Sequence, residues 1–311
     1  MLEIETTRSS FTYDDTRLMA LLKIQTEMLK SIHDFLYEKK LVQLMPVILS
    51  PITDPLNHSV YDASITYGEQ KFQLTKSMIF HKQLAIGATS GPGIYIMSPN
   101  VRLEKETMQQ SGRHLFEFSQ VDIELRGAST QDFMDFMEDL IIATLIHIKQ
   151  KCSDEVAIFE SRLKIPSKPF RVYNSFNLRE QFGDDFEQIM SSTSTDFFWI
   201  MDYTREFYDK EDPERKGHYI NYDLFYPYGF NEALSGGERD YEYKILLRKI
   251  KERNQDPQIF DFYLKAAKEG KLTSSAGGGL GLERFLRYIL KKSNIGDICL
   301  FPKIPGQKVR I

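Results

Sequence analysis

Between residues 94 and 125 the chain alternates in polarity with a period of two, interrupted by a polar stretch at 105–113. In IYIMSPNVRLE, Tyr95, Met97, Val101 and Leu103 are apolar, while Asn100, Arg102 and Glu104 face the other way. In HLFEFSQVDIE, Leu115, Val121 and Ile123 alternate with Phe118, Gln120, Asp122 and Glu124. Successive strand residues point to opposite faces, so the pattern predicts an antiparallel hairpin with one face on the core. The other face carries an arginine and several carboxylates, which are costly to bury unless they meet a charged ligand or a metal. Alone, this could be a solvated sheet face, but Phe118 would then be exposed among polar neighbours; its ring could instead stack on a base.

The flanking segments read as helices and short strands. Leu18, Leu21, Leu22, Leu29, Ile32 and Leu36 predict an amphipathic helix over 15–39, with Ile24 off the main stripe. LVQLMPVIL (41–49) reads as one extended run, and Pro46 inside it demands an edge position or a subunit boundary. Residues 51–70 read as loop, with a helix starting near Thr75. A second long helix is expected over 130–151, with Thr130 as N-cap and Phe133, Phe136, Leu140, Ile141, Leu145 and Ile148 facing inward. Strands follow near 169–173, 196–202 and 218–225, and helices near 240–253 and 256–269. The chain closes on a glycine-rich strand-to-helix junction, SSAGGGLGLERFLRYILKK. Antiparallel strands with helices outside make this α+β.

Lys plus Arg number 40 against 44 for Asp plus Glu, a net charge of −4, which lowers the expectation of a long nucleic-acid interface. No apolar run is long enough to span a membrane, and MLEIETTRSSFTYDD lacks the form of a signal peptide. Cys152 and Cys299 are far apart and lack metal-ligand spacing, so a cytoplasmic protein without disulfides is expected.

Two further clusters carry chemistry. The glycines at 277–281 match neither a Walker loop nor a dinucleotide fingerprint, but would allow a nucleotide close to the backbone, with Arg284 at the following helix start. Asp223, Glu232 and Ser235 are oxygen donors of the kind magnesium takes, and Arg239 beside Gly236 and Gly237 could grip a small carboxylate. Each cluster alone is also compatible with a polar turn and a surface arginine.

Together the clusters resemble the three motifs of class II aminoacyl-tRNA synthetases, in particular the aspartate/asparagine branch. Helix 15–39 with LVQLMPVIL resembles motif 1, VRLE with RHLFEFSQVDIE motif 2, and GGGLGLER motif 3. NEALSGGER resembles the amino-acid-site segment, and ICLFPK the terminal strand. The resemblance implies a class II aminoacyl-tRNA synthetase-like antiparallel β-sheet flanked by helices, one catalytic domain over 1–311, using ATP and Mg2+. It gives Arg102 the α-phosphate, Glu104 and Phe118 the adenine, Arg113 or His114 the β- and γ-phosphates, and Arg284 the γ-phosphate and adenine. Asp223, Glu232 and Ser235 would bind magnesium, and Glu232 would also belong to the ATP-binding set. Lys82 and Arg239 would hold the non-reacting carboxylate of aspartate, with Ser77, Gln120 and Asp122 around its amino group. The resemblance would make Arg102 and Arg284 the catalytic residues, and residues 15–49 a homodimer interface.

Roughly 15 residues precede motif 1, where tRNA synthetases of this branch carry an anticodon-binding domain. That pattern resembles the archaeal asparagine synthetases of this lineage. The leading expectation is an ammonia-dependent, AMP-forming ligase acting on aspartate, with tRNA not expected as a partner. The alternatives are a freestanding aminoacyl-transferase and a non-catalytic regulatory paralogue. The departures from the branch gather at the amino-acid end: Ile79 replaces a usual glutamine, and Asp240-Tyr241 follow Arg239. The Asp223–Glu232 separation is slightly long, and loop 53–69 lacks a clear match, leaving Asp54, His58 and Asp62 as candidates for taking a proton from ammonium.

Overall fold

The computed structural model describes residues 14–309. Helix α1 (Asp15–Glu38) leads through short strands β1 (Val42–Leu44), β2 (Leu49–Ser50), β3 (Ser64–Tyr67) and β4 (Gln70–Leu74) to helix α2 (Ile79–Ala88). The expected hairpin follows as β5 (Gly93–Val101) and β6 (Glu117–Arg126), paired antiparallel from Gly93–Leu125 to Val101–Glu117. Next come α3 (Thr130–Lys151), α4 (Ser153–Ile158), β7 (Arg171–Asn174), α5 (Ser175–Phe182) and α6 (Phe186–Thr193). Strands β8 (Phe198–Met201), β9 (Asn221–Tyr226) and β10 (Asn231–Glu238), helices α7 (Tyr243–Glu252) and α8 (Asp261–Lys268), then β11 (Ser275–Gly281) and α9 (Leu282–Ile289) complete the order.

Eight strands form one sheet in the order β1-β5-β6-β11-β10-β9-β8-β7. Its centre is antiparallel, as expected, but β1 runs parallel to β5 and β7 parallel to β8, so the sheet is mixed. Val121 and Ile123 of β6 are fully buried in the large core shared with α1, α3 and α9. The opposite face, bearing Gln120, Asp122 and Glu124, is the floor of the site.

Several local readings change. Ile24 is central to the buried stripe of α1, with Leu21, Met28 and Ile32, because spacings of three and four place these residues on one face. The extended run at 41–49 is broken: β1 and β2 lie in different sheets, and Pro46, which cannot donate to a ladder, falls between them. Part of the expected loop at 51–70 forms a small sheet, β2-β4-β3. Helix α2 begins at Ile79 instead of Thr75. The N-cap of α3 is Ser129, which forms a capping box with Asp132, whereas Thr130 donates its backbone N–H to Glu238. ICLFPK is not a strand; a 3₁₀ turn at Ile295–Ile298 leads into an irregular segment.

The glycine run proves to be strand β11, and its register explains the composition. Asp122, Gly279, Ser235 and Asp223 are successive partners across β6, β11, β10 and β9. A Cβ on Gly277 would lie 2.0 Å from Glu124 Oε2 and 2.5 Å from the Ile123 carbonyl. At Gly277 the volume left by the missing side chain is filled by the buried Glu124 carboxylate.

Candidate active site

Two adjoining cavities open over this floor. The first, of about 290 Å3, is lined by Arg102, Glu104, Arg113, His114, Phe118, Glu232 and Arg284, all of the residues expected to bind ATP. The second, of about 420 Å3, is lined by Ser77, Lys82, Gln120, Asp122 and Arg239, together with Asp223, Glu232 and Ser235. Arg102, Gln120, Glu232 and His58 border both. The seam between the cavities therefore carries a guanidinium and a carboxylate.

On the first side, the Arg102 guanidinium lies over the Phe118 ring at 5.2 Å and donates from Nε to the Lys76 carbonyl at 3.0 Å. Strand β6 supplies Phe118, and Arg102 follows the end of β5, so hairpin register sets their contact. Glu104 meets His58 Nε2 at 3.1 Å. Burial alone would raise the Glu104 carboxyl, but the imidazole and Arg102 bring it below its usual value. Glu232 meets Arg284 Nη1 at 3.1 Å. Burial opposes its charge, yet Arg284, Arg113, Arg205 and Arg102 together pull it to about 2. Three of these guanidinium groups, Arg102, Arg113 and Arg284, line the first cavity and make this end a receptacle for anions.

His114 responds to the same field. Burial, then Arg284 and Arg113, lowers its imidazole to about 4, so it is neutral at physiological pH. We expect NMR titration, with the signal assigned by His114→Asn, to give a midpoint near 4 in the free chain. Added tripolyphosphate should move it upward by roughly one unit or more, since nearby anions favour the protonated ring. A free-chain midpoint near the ordinary histidine value would contradict the assigned environment.

On the second side, two buried cations interleave with three buried carboxylates. Lys82 Nζ lies 2.8 Å from Asp122 Oδ1 and 3.3 Å from Glu124 Oε2. Arg239 donates to Glu124 Oε1 at 3.2 Å, Asp209 Oδ1 at 2.7 Å and the Gly277 carbonyl at 2.9 Å. Asp122 Oδ2 is buried without a hydrogen-bond partner, and Asp122 lines the cavity. Both signs of charge are thus held within one small space, as recognition of a zwitterion requires. Ser77 donates to Asp54 Oδ2 at 3.0 Å, and Gln120 accepts from Asn100 at 2.9 Å. Ile79 also lines this cavity.

The three loop candidates separate. Asp54 is buried, lines the second cavity and accepts from the Tyr208 hydroxyl at 3.1 Å. His58 lies at the seam, whereas Asp62 lies outside both linings and accepts from Ser64.

Asp223, Glu232 and Ser235 suit a hard divalent cation by donor type, and Asp223 Oδ1 is a buried oxygen without a partner. In the structure arginines engage all three: Arg205 donates to Asp223 and Ser235, and Arg284 to Glu232. Among the described residues, no three His, Cys, Asp or Glu side chains converge as a metal site.

Several residues in or next to the two cavities escaped the sequence reading. Asp209 and Arg205 come from an irregular stretch with no periodic signal. Glu124 was visible on the polar face, but its contact with both cations was not. Glu283 accepts the Ser119 backbone N–H through both oxygens, at 2.9 and 3.0 Å, tying the start of α9 to β6. Burial raises its carboxyl.

The model for class II tRNA synthetases of the D, K and N kinds matches residues 2–305. The chain belongs to this family. It is 30% identical over 256 residues to an aspartate–tRNA(Asp/Asn) ligase of Methanoculleus marisnigri, covering 77% of this chain and 58% of that protein. It is 26% identical over 310 residues to an aspartate–tRNA(Asp) ligase of Pyrococcus furiosus, covering 92% and 68%. Asparaginyl-tRNA synthetase from Pyrococcus horikoshii, solved with asparaginyl-adenylate, shares the fold with a TM-score of 0.84 and 22% identity, covering 94% of this chain and 70% of that one. The expected class II fold is therefore correct, and homologues of this family are ATP-dependent ligases. Among the described residues, no helix is long and apolar enough to cross a membrane.

Proposed function

We propose that this chain is an AMP-forming ligase that adenylates an aspartate-type amino acid and passes the acyl group to an acceptor. The observation that carries this reading is the seam: Arg102 and Glu232 border both the anion-receiving cavity and the zwitterion-suited one. Arg102 would meet the α-phosphate where the amino-acid carboxylate attacks, stabilising charge as pyrophosphate leaves. Arg113, His114 and Arg284 would hold the outer phosphates, with Glu104 and Phe118 at the adenine. Ser77, Gln120 and Asp122 would surround the ammonium group, while Lys82 and Arg239 favour aspartate by offering positive charge to its second carboxylate. Magnesium, when bound through Asp223, Glu232 and Ser235, would draw negative charge from the polyphosphate.

The names of the relatives support a tRNA end as acceptor. A second reading, ammonia as acceptor with free asparagine as product, is supported by the carboxylates Asp54 and Glu206 at the amino-acid end, which suit an ammonium ion. One assay separates them. Aspartate or asparagine should drive ATP–pyrophosphate exchange; labelled amino acid retained on tRNA supports the first acceptor, and free asparagine made with ammonium supports the second. Absence of exchange with both amino acids would overturn adenylation itself.

Residues 15–49 also leave large apolar side chains outward, with Tyr37 80% and Met45 84% exposed beside Val42 and Ile48. Such a patch supports a homodimer through this segment. Sedimentation should give a dimer for the unaltered chain, and Met45→Glu with Ile48→Glu should shift it to monomer; a monomeric unaltered chain would count against the interface.

A further inference from the structure

Arg205 bridges two of the three oxygen donors expected to meet a cation, Asp223 and Ser235. Its two terminal nitrogens donate to different groups, Nη1 to Ser235 Oγ and Nη2 to Asp223 Oδ2, which are cross-strand partners on β10 and β9. The guanidinium also packs over the Tyr203 ring at 4.7 Å, and Arg253 holds the Arg205 carbonyl. This bridge is built into the site. Asp223 is 2% exposed; Arg205 engages its Oδ2, while its buried Oδ1 is without a hydrogen-bond partner.

A divalent ion binding there must displace a desolvated ion pair, an exchange disfavoured unless another charge compensates for it. An incoming polyphosphate in the adjoining cavity supplies such compensation. Glu187 and Glu206 line the same cavity and interact electrostatically with Arg205, offering the displaced guanidinium new partners.

We propose that Arg205 is an internal stand-in for the divalent cation, holding Asp223 and Ser235 until metal and nucleotide arrive together. The proposal rests on the reading of the first cavity as a nucleotide site. The metal therefore binds poorly to the free chain and well to the nucleotide complex.

Mn2+ titration of the full chain, followed by electron paramagnetic resonance, tests this without turnover. In the absence of nucleotide, Arg205→Gln should bind Mn2+ roughly tenfold or more tightly than the unaltered chain, a change of about 1.4 kcal/mol. Arg205→Lys, which keeps the charge but cannot bridge two oxygens in a fork, should fall between them. Adding Asp223→Asn to Arg205→Gln should abolish the gain. A non-hydrolysable ATP analogue should raise Mn2+ binding by the unaltered chain. Equal Mn2+ affinity of folded Arg205→Gln, Arg205→Lys and unaltered chains without nucleotide would overturn the proposal, even if pyrophosphate exchange were normal. Absence of exchange alongside the expected Mn2+ series would instead fault the adenylation reading.

Discussion

Arg102→Ala is expected to lower aspartate-dependent ATP–pyrophosphate exchange by roughly 10²–10³-fold, the usual cost of removing a donor aimed at developing negative charge. The loss should fall mainly on kcat, because the guanidinium is needed most as charge builds at the α-phosphate. Arg102→Lys should recover little. A compact ammonium group cannot at once lie over Phe118 and donate to the Lys76 carbonyl as the extended guanidinium does, and both contacts fix the side chain at the seam. Arg284→Ala offers the contrast: of the two cavities its guanidinium lines only the first, proposed to hold ATP, so a rise in KM for ATP should exceed the fall in kcat. Thermal unfolding of Arg102→Ala should stay close to that of the unaltered chain, since Arg102 is only partly buried. A variant retaining near-normal exchange would remove Arg102 from the chemistry and with it the main support for adenylation at the seam.

The difference between what the sequence made legible and what it hid has a physical origin. Period-two alternation is a local property of one strand, so it revealed the hairpin and the polar face bearing Gln120, Asp122 and Glu124. Helices α1 and α3 were legible for a similar reason, each repeating its apolar stripe over many turns. Pairings between distant strands leave no such local mark. Nothing in GGGLG announces that Gly277 faces Glu124, or that Gly279 completes the row from Asp122 to Asp223. The parallel edges were hidden too, because β1 and β7 are only three and four residues long. The candidate site was legible in its residues but less so in their partners. Arg102, Lys82, Arg239 and Glu232 could be singled out from motifs, whereas their contacts with Phe118, Asp122, Asp209 and Arg284 depend on tertiary approach. Arg205 is the extreme case, a lone arginine in an aperiodic stretch whose role is defined only by what it bridges.

That dependence on partners makes Arg239 the residue whose loss should most affect stability. It is 4% exposed and neutralises two carboxylates that are equally hidden, Glu124 and Asp209. Arg239→Met keeps much of the side-chain length but strands both charges, which ordinarily costs about 3–5 kcal/mol. For a chain of 311 residues that corresponds to a fall in Tm of roughly 5–8 °C. Lys82 limits the damage only in part, because it already serves Asp122 as well as Glu124. Adding Glu124→Gln removes one stranded charge while preserving volume, so the double variant should be more stable than Arg239→Met alone. Their double-mutant cycle should therefore show a coupling of about 1–3 kcal/mol. Strict additivity would mean that the two groups are screened from each other and that the buried charge network is not a cooperative unit. The expected coupling would instead make Glu124 the common anchor for Lys82 and Arg239, so that the groups proposed to grip the substrate carboxylate are aligned before it enters.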